Sequence, residues 1–315
     1  MLSRPSLTTT VASHERAIFL RFIITGSSGF VGRHVCAALR DGGHDVTGVT
    51  RARLAAGRPD ICIDLLQPGA AADLFKAARA DRLVHLAWTV EHGKFWTDPK
   101  NLDWVAATLS LAQAAHEAGV KHITVTGTCY EYNWPTSGDC IEDNTPTASH
   151  TLYDTAKDAT HRILSAHARQ MGYGLAWARL FNLYGAGEHP DRLVASVARA
   201  LAEGRRAQTS RGVPVRDFMD VRDAGRAIAE VAVAGFTGAV NTATGEPVRI
   251  CDVVRRLGEL SGRSELIALG SLPDRPEPPR ITADVAALRK LGFSPLYSLD
   301  RGLSDAIDFW RRRSK

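Results

Sequence analysis

Two rhythms of apolar and polar positions run along this chain. Short apolar runs, "AIFLRFIITG", "HDVTGVT", "ICID", "RLVHLAW", "HITVTGT" and "GLAWARLF", read as strands buried on both faces. Stretches with helical spacing separate most of them. The first, "FVGRHVCAALRDGG", puts Val31, Val35, Ala38 and Leu39 on one side and stops at a Gly-Gly pair. Further helices are predicted over 70–78, 101–119 and 152–172. Strand alternating with helix predicts an α/β fold, a doubly wound parallel sheet with helices on both faces, over residues 18–180. Beyond 180 the rhythm weakens. "FNLYGAGEHPDR" reads as a loop, helices are predicted over 192–203, 221–234, 250–261 and 303–312, and the Pro-rich "SLPDRPEPPR" as a loop closing over something. The expected organisation is a disordered tail (1–17), a nucleotide-binding domain (18–180, rejoined by about 216–244) and a smaller, mostly helical substrate domain (181–315).

Composition narrows the function. Of 315 residues, 44% are hydrophobic and 23% charged, ordinary for a globular protein. No apolar stretch reaches the roughly 20 residues a membrane-spanning helix needs, so no membrane association is expected. The polar first 17 residues lack the apolar core of a signal peptide. Five cysteines (Cys36, Cys62, Cys129, Cys140, Cys251) form no CxxC pair, which fits reduced thiols in the cytoplasm and neither a disulfide framework nor a metal site. The net charge of +5 is spread along the chain apart from the closing "RRRSK", and no basic run is interleaved with aromatics. A nucleic-acid partner is therefore not expected; an anionic substrate is compatible with the charge.

The first chemical signal is "TGSSGFVG", after a strand and opening a helix. That context gives the glycine spacing its meaning. Gly26 permits the tight turn, Gly29 lets a pyrophosphate approach the backbone, Gly32 lets the helix pack on the sheet, and Ser28, Phe30 and Val31 complete the cofactor-binding turn. The second strand ends "VTRAR", where an acid would accept from a ribose hydroxyl and mark NAD. Arg51 and Arg53 stand there instead, with Arg33 as a further basic candidate, so NADP(H) is favoured and NAD remains possible.

The second signal is "TLYDTAKDATHRIL", which puts Tyr153 and Lys157 one helical turn apart. Spacing alone does not separate an active site from a solvated helix face. The surrounding motifs do. "TGSSGFVG", Asp64-Leu65, "HLAW", "VTGTCYEYN", "YDTAK", "RLFNLYGAGE", "VRDFMDVRD" and "NTATGE" occur in order, and over about residues 20–312 the chain resembles the extended short-chain dehydrogenase/reductases of the nucleotide-sugar epimerase/dehydratase type. The resemblance implies a Rossmann-like fold, with Thr128, Tyr153 and Lys157 as the catalytic set. It implies cofactor contacts at Asp64, Leu65, Leu86, Ala87, Trp88, Tyr153 and Lys157. A nearby ammonium favours a phenolate, so Lys157 is expected to lower the Tyr153 pKa while Thr128 orients the substrate oxygen.

The resemblance also implies a nucleotide-diphosphate sugar as partner, with Asn182, Arg216 and Arg275 (or its competitor Arg280) on the diphosphate and Lys94, Thr128, Glu131 and Trp88 around the sugar. An ion pair of Arg216 with Asp217 or Asp220 is the competing reading. Two departures stand out. Asn101 lies one turn before the family's usual helix asparagine position, and Asn133 replaces a glycine. Family 4,6-dehydratases carry Asp-Glu directly after the catalytic Thr; here Cys129 and Tyr130 stand there. Family 3,5-epimerases carry a Cys two positions after it, which here is Tyr130. These absences leave a 4-epimerase and a 4-ketoreductase, and Arg51 and Arg53 in place of an acid favour NADPH-dependent reduction of the C4 ketone of a nucleotide-linked 4-keto-6-deoxysugar. A nucleotide-sugar 4-epimerase with tightly held NAD and a non-catalytic NADP sensor are the alternatives. A homodimer is expected.

Overall fold

The computed structural model describes residues 19–51, 60–148 and 150–314. β1 (Arg21–Thr25) passes through the glycine turn into α1 (Gly32–Asp41). There follow β2 (Asp45–Thr50), β3 (Ile61–Cys62), α2 (Ala70–Ala77), β4 (Arg82–His85), α3 (Lys100–Glu117), β5 (His122–Thr128), α4 (Leu152–Met171) and β6 (Gly174–Leu180). Next come β7 (Asn182–Tyr184), α5 (Leu193–Ala202), β8 (Ala207–Gln208), β9 (Val215–Asp220), α6 (Val221–Ala234) and β10 (Gly238–Thr242). The chain ends through β11 (Pro247–Arg249), α7 (Ile250–Ser261), β12 (Ile267–Ala268), β13 (Arg280–Ile281), α8 (Ala286–Lys290) and α9 (Leu299–Arg313).

The main sheet is all parallel, in the order β3-β2-β1-β4-β5-β6-β10. This is a doubly wound, Rossmann-like sheet. Its strands are apolar on both faces because both faces are covered. On one side Phe22, Ile24 and Val84 pack with Val35 and Leu39 of α1 and Ile228 and Val231 of α6. On the other, Ile23, Leu83, Ile123 and Val125 pack with Leu74, Leu111 and Leu164 of α2, α3 and α4. A smaller assembly holds β9 with β7, β11 and β13, and packs α5, α7 and α9 around Val197, Leu201, Val254, Leu257 and Leu303.

This topology decides where chemistry sits. The strand order reverses between β1 and β4, and ligands of such sheets bind at the carboxyl ends of the strands beside that reversal. Thr25, His85 and Thr128 are the last residues of β1, β4 and β5. Among the described residues no helix is long and apolar enough to cross a membrane.

Candidate active site

The glycine turn is built from backbone. Gly29 N–H donates to the Gly26 carbonyl at 3.0 Å, and Gly26 N–H to Val49 at 3.1 Å. Gly26 has φ of 70° and lies so close to β4's exit that a Cβ would stand 2.9 Å from Ala87 N. At Gly32 a Cβ would stand 2.1 Å from the Gly26 carbonyl oxygen. Gly29 is exposed, and among the described residues beyond its chain neighbours only that same oxygen comes near its missing Cβ, at 3.1 Å. Tight packing at Gly26 and Gly32 with an open Gly29 fits a turn that receives a pyrophosphate on the start of α1. Ser28 is exposed on this turn, with Phe30 and Val31 half-buried beside it. Leu86 N–H and Ala87 N–H both donate to Thr25 Oγ1, which ties the β4 exit to β1. Leu65 is buried, and Asp64 closes a local turn by accepting Leu66 N–H at 3.1 Å.

Around the adenosine end the structure adds an acid. Arg51 is exposed at the end of β2, and Arg53 lies outside the described residues. No motif in the sequence marks Asp60. A Cβ on Gly48 would lie 2.3 Å from Asp60 Oδ1 and 2.7 Å from Ser27 Oγ, so this carboxylate comes up beside the glycine turn. Arg33 turns elsewhere: its guanidinium donates to the Ala186 carbonyl and stands over the Phe30 ring.

α4 carries the acid–base pair. Its start is fixed by Asp154, whose carboxylate accepts Thr151 N–H at 2.6 Å and His150 N–H at 3.0 Å. Tyr153 N–H donates to the Trp96 carbonyl at 3.1 Å, and the Tyr153 ring packs edge-on against Phe95 and Trp96. Asn101, fully buried, holds that covering loop by donating to the Phe95 and Asp98 carbonyls, each at 2.8 Å. The same Asn101 accepts from Trp88 Nε1 at 2.8 Å. Lys157 is buried, donates to the Thr126 carbonyl at 2.8 Å and stands 3.8 Å from the centre of the Trp88 ring. The Thr128 hydroxyl stands beside the Tyr153 phenol. The structure thus brings Thr128, Tyr153, Lys157 and Trp88 together at the exits of β4 and β5.

The electrostatics correct one expectation. Burial pushes the Tyr153 phenol above its usual range, the Glu131 charge adds to the rise, and Lys157 is not among the causes. Burial pushes Lys157 down to about 7, partly offset by Glu131. Desolvation is the largest influence on both groups. Tyr153 is therefore a neutral phenol at pH 7, the form that can donate a proton. His85 is also neutral, pushed down to about 3 by burial and by Lys157, and is held between Thr25 Oγ1 at 2.7 Å and Thr108 Oγ1 at 2.9 Å.

The expected substrate residues fare unevenly. Glu131 does not line a sugar pocket: it is wholly buried behind Thr128 and takes N–H donors from Thr128, Trp177 and Arg179. Lys94 is 72% exposed and pairs with Glu91 at 2.5 Å, a surface contact between neighbours in sequence. Asn182 is half-buried, with Nδ2 3.4 Å from the Asp217 carbonyl. Arg216 is buried, but its partner is neither Asp217 nor Asp220. Asp217 accepts from Thr244 and Gly245, Asp220 pairs with Arg222, and Arg216 Nη2 meets Glu277 of the Pro-rich loop at 2.5 Å. Arg275 is exposed on the same loop, in the field of His92. Cys129 is fully buried and pushed up by burial, so it supplies no acid.

The profile of the NAD dependent epimerase/dehydratase family matches residues 22–243. UDP-glucose 4-epimerase of Bacillus subtilis is 25% identical over 94% of this chain and 97% of its own length. GDP-6-deoxy-D-mannose reductase of Pseudomonas aeruginosa is 25% identical over 93% of this chain and 98% of its own. Among solved structures, the Thermus thermophilus UDP-glucose 4-epimerase complex with NAD superposes with a TM-score of 0.81 at 24% identity, covering 92% of this chain and 99% of that one.

Proposed function

The chain belongs to the NAD dependent epimerase/dehydratase family, and from that premise we propose that it is an NADPH-dependent 4-ketoreductase acting on a nucleotide-linked 4-keto-6-deoxysugar. One observation carries this reading. The neutral Tyr153 phenol lies beside Thr128 and Lys157, and neither of the two residues after Thr128 can serve as a dehydratase's acid or base. Cys129 is buried and neutral, Tyr130 is raised by burial to about 12, and the next carboxylate, Glu131, is turned into the protein. Such a site suits proton transfer to one oxygen and sets a dehydratase aside; the exposed Arg51 at the end of β2 then favours NADPH reduction over a 4-epimerase. The nicotinamide, when bound, supplies the hydride. Tyr153 donates the proton to the C4 oxygen, Thr128 orients that oxygen, and Lys157 holds the cofactor ribose. Arg216, Asn182 and Arg275 take the diphosphate, and a phosphate displaces Glu277 from Arg216. A homodimer belongs to this reading.

A ketone made from a nucleotide sugar by a separate 4,6-dehydratase is expected to oxidise NADPH with one-to-one stoichiometry. Arg216→Ala is expected to raise KM at least tenfold, because a charge-assisted contact to phosphate is lost. Glu277→Gln is expected to lower KM by freeing that arginine. Absence of any 4-keto nucleotide sugar reduction sinks the reading.

Asp60 favours a second reading, a 4-epimerase that recycles NAD, because an acid near the glycine turn suits an unphosphorylated ribose. Fluorescence titration separates the two. With Arg51 as the phosphate partner, NADPH binds at least tenfold more tightly than NADH, and Arg51→Asp narrows the gap. Protein that purifies with unexchangeable NAD and interconverts UDP-glucose and UDP-galactose without added cofactor is the epimerase.

A further inference from the structure

Glu131 is a buried carboxylate that the acid–base reading leaves without a task. It ends a single helical turn, Cys129–Glu131, that follows directly on Thr128. Three N–H donors meet its two oxygens, with the Trp177 N–H shared between them. Oε1 takes Thr128 N–H at 2.8 Å and Trp177 Nε1 at 3.0 Å; Oε2 takes Trp177 Nε1 at 3.0 Å and Arg179 Nε at 2.8 Å. Three donors thus occupy a carboxylate with roughly four lone-pair sites. Asp158 and His161 present ligand atoms within 4.8 Å of it, but Arg179 already supplies its counter-charge.

The network is anchored far from the site. Arg179 Nη1 donates to Tyr132 Oη at 2.9 Å and to the Glu142 carbonyl at 3.2 Å; Tyr132 Oη donates to Asn241 Oδ1 at 2.8 Å. Asn241 is held in turn by the Cys140 and Asp284 carbonyls. Room is also made for it: a Cβ on Gly127 would lie 2.1 Å from Trp177 Nε1 and 2.5 Å from Glu131 Oε1. Only glycine fits immediately before Thr128. A buried ion pair is weak evidence for stability, since apolar replacements often do as well. A carboxylate fixed on one side and bonded to a catalytic residue's backbone on the other is better explained by what it aims.

We propose that Glu131 is a positioning residue, whose carboxylate, anchored on Arg179 and Trp177, holds the Thr128 backbone so that the Thr128 hydroxyl faces the Tyr153 phenol. This rests on the acid–base reading of Thr128, Tyr153 and Lys157. A second effect follows from charge. Burial raises the Glu131 pKa and the Arg179 guanidinium opposes that rise; in its charged form Glu131 favours the Lys157 ammonium, while the nearby His85 is neutral and lends Lys157 no charge. An ammonium is the form that donates to ribose hydroxyls. Cofactor affinity is then full below the Lys157 pKa and falls as pH rises through it. Without the Glu131 charge that fall moves to lower pH.

The test uses the full-length protein with Glu131→Gln and Glu131→Asp. Melting temperature, NADPH and NADH affinity from pH 5.5 to 9, and kcat and KM on a 4-keto nucleotide sugar are measured. Glu131→Gln is expected to lower kcat about 10²-fold, the scale of a small misplacement of a reacting group. KM stays within threefold and the alkaline fall in cofactor affinity moves to lower pH. Glu131→Asp keeps the charge but draws back from Thr128 N–H. It lowers kcat similarly and leaves the pH profile in place. Unchanged kcat and an unchanged profile in folded variants, with only a lower melting temperature, overturn the proposal. If the wild-type protein reduces no 4-keto sugar, the proposed function fails, and the cofactor profile alone decides for Glu131: no movement in Glu131→Gln overturns it. If Glu131→Gln does not fold, Glu131→Asp decides: wild-type kcat, or without a reduced sugar a displaced profile, overturns it.

Discussion

Tyr153→Phe is expected to lower kcat by about 10²–10⁴, the range for losing a positioned proton donor. The change removes one oxygen and nothing else. The ring keeps its edge-on contacts with Phe95 and Trp96, and the backbone N–H keeps the Trp96 carbonyl. Melting temperature and cofactor affinity should therefore stay near wild type. Thr128 still reaches the substrate oxygen, but it cannot replace the proton. The raised phenol pKa sharpens the expectation: with Tyr153 neutral far into the alkaline range, no loss of activity as pH rises to 8 should come from deprotonation of this residue. Steady-state kinetics on a 4-keto nucleotide sugar decides it. Full turnover by the phenylalanine variant would show that another group protonates the ketone.

Much of this arrangement is legible in the sequence because it is local. Strand–turn–helix order places the glycine turn, and the 3.6-residue period places Tyr153 and Lys157 on one face of α4. Thr128 ends a strand that "HITVTGT" already announces. What the sequence leaves dark joins distant segments. Glu131 meets Arg179 across 48 positions, Arg216 meets Glu277 across 61, and Arg33 reaches Ala186 across 153. No periodicity carries such pairs. Glu131 looks like a pocket carboxylate from its place after Thr128, and only the folded β6 supplies the Arg179 and Trp177 that draw it inward. Lys94 misleads differently: as a lone cation near the motif it suggests a substrate contact, yet Glu91 three residues earlier takes its charge at the surface. The expected direction of the Tyr153 pKa also failed for a non-local reason. Helix spacing gives the neighbour, but burial, which outweighs it here, comes from the loop carrying Phe95 and Trp96.

Gly32→Ala should be the most damaging single methyl in the nucleotide-binding half. Its Cβ would stand 2.1 Å from the Gly26 carbonyl oxygen and 2.9 Å from both Gly26 C and Ser27 Cα. Overpacking in a core commonly costs about 1–3 kcal/mol because side chains shift aside. Here the obstacle is backbone, and it belongs to the turn that presents Gly29 and the start of α1. Relief requires α1 to move off β1 or the Gly26–Gly29 bond to open, and either change scatters the N–H groups that a pyrophosphate needs. The expected outcome is a protein that fails to fold, or one with a much lower melting temperature and cofactor affinity reduced at least about 10²-fold. Gly29→Ala is the matched control. Its Cβ meets only the Gly26 oxygen, at 3.1 Å, and otherwise faces solvent. That variant should fold with a near-normal melting temperature while losing cofactor affinity, since its methyl occupies the face offered to the pyrophosphate. Differential scanning calorimetry and nicotinamide fluorescence separate the two effects. If Gly29→Ala binds cofactor as the wild type does, the pyrophosphate does not lie on this turn.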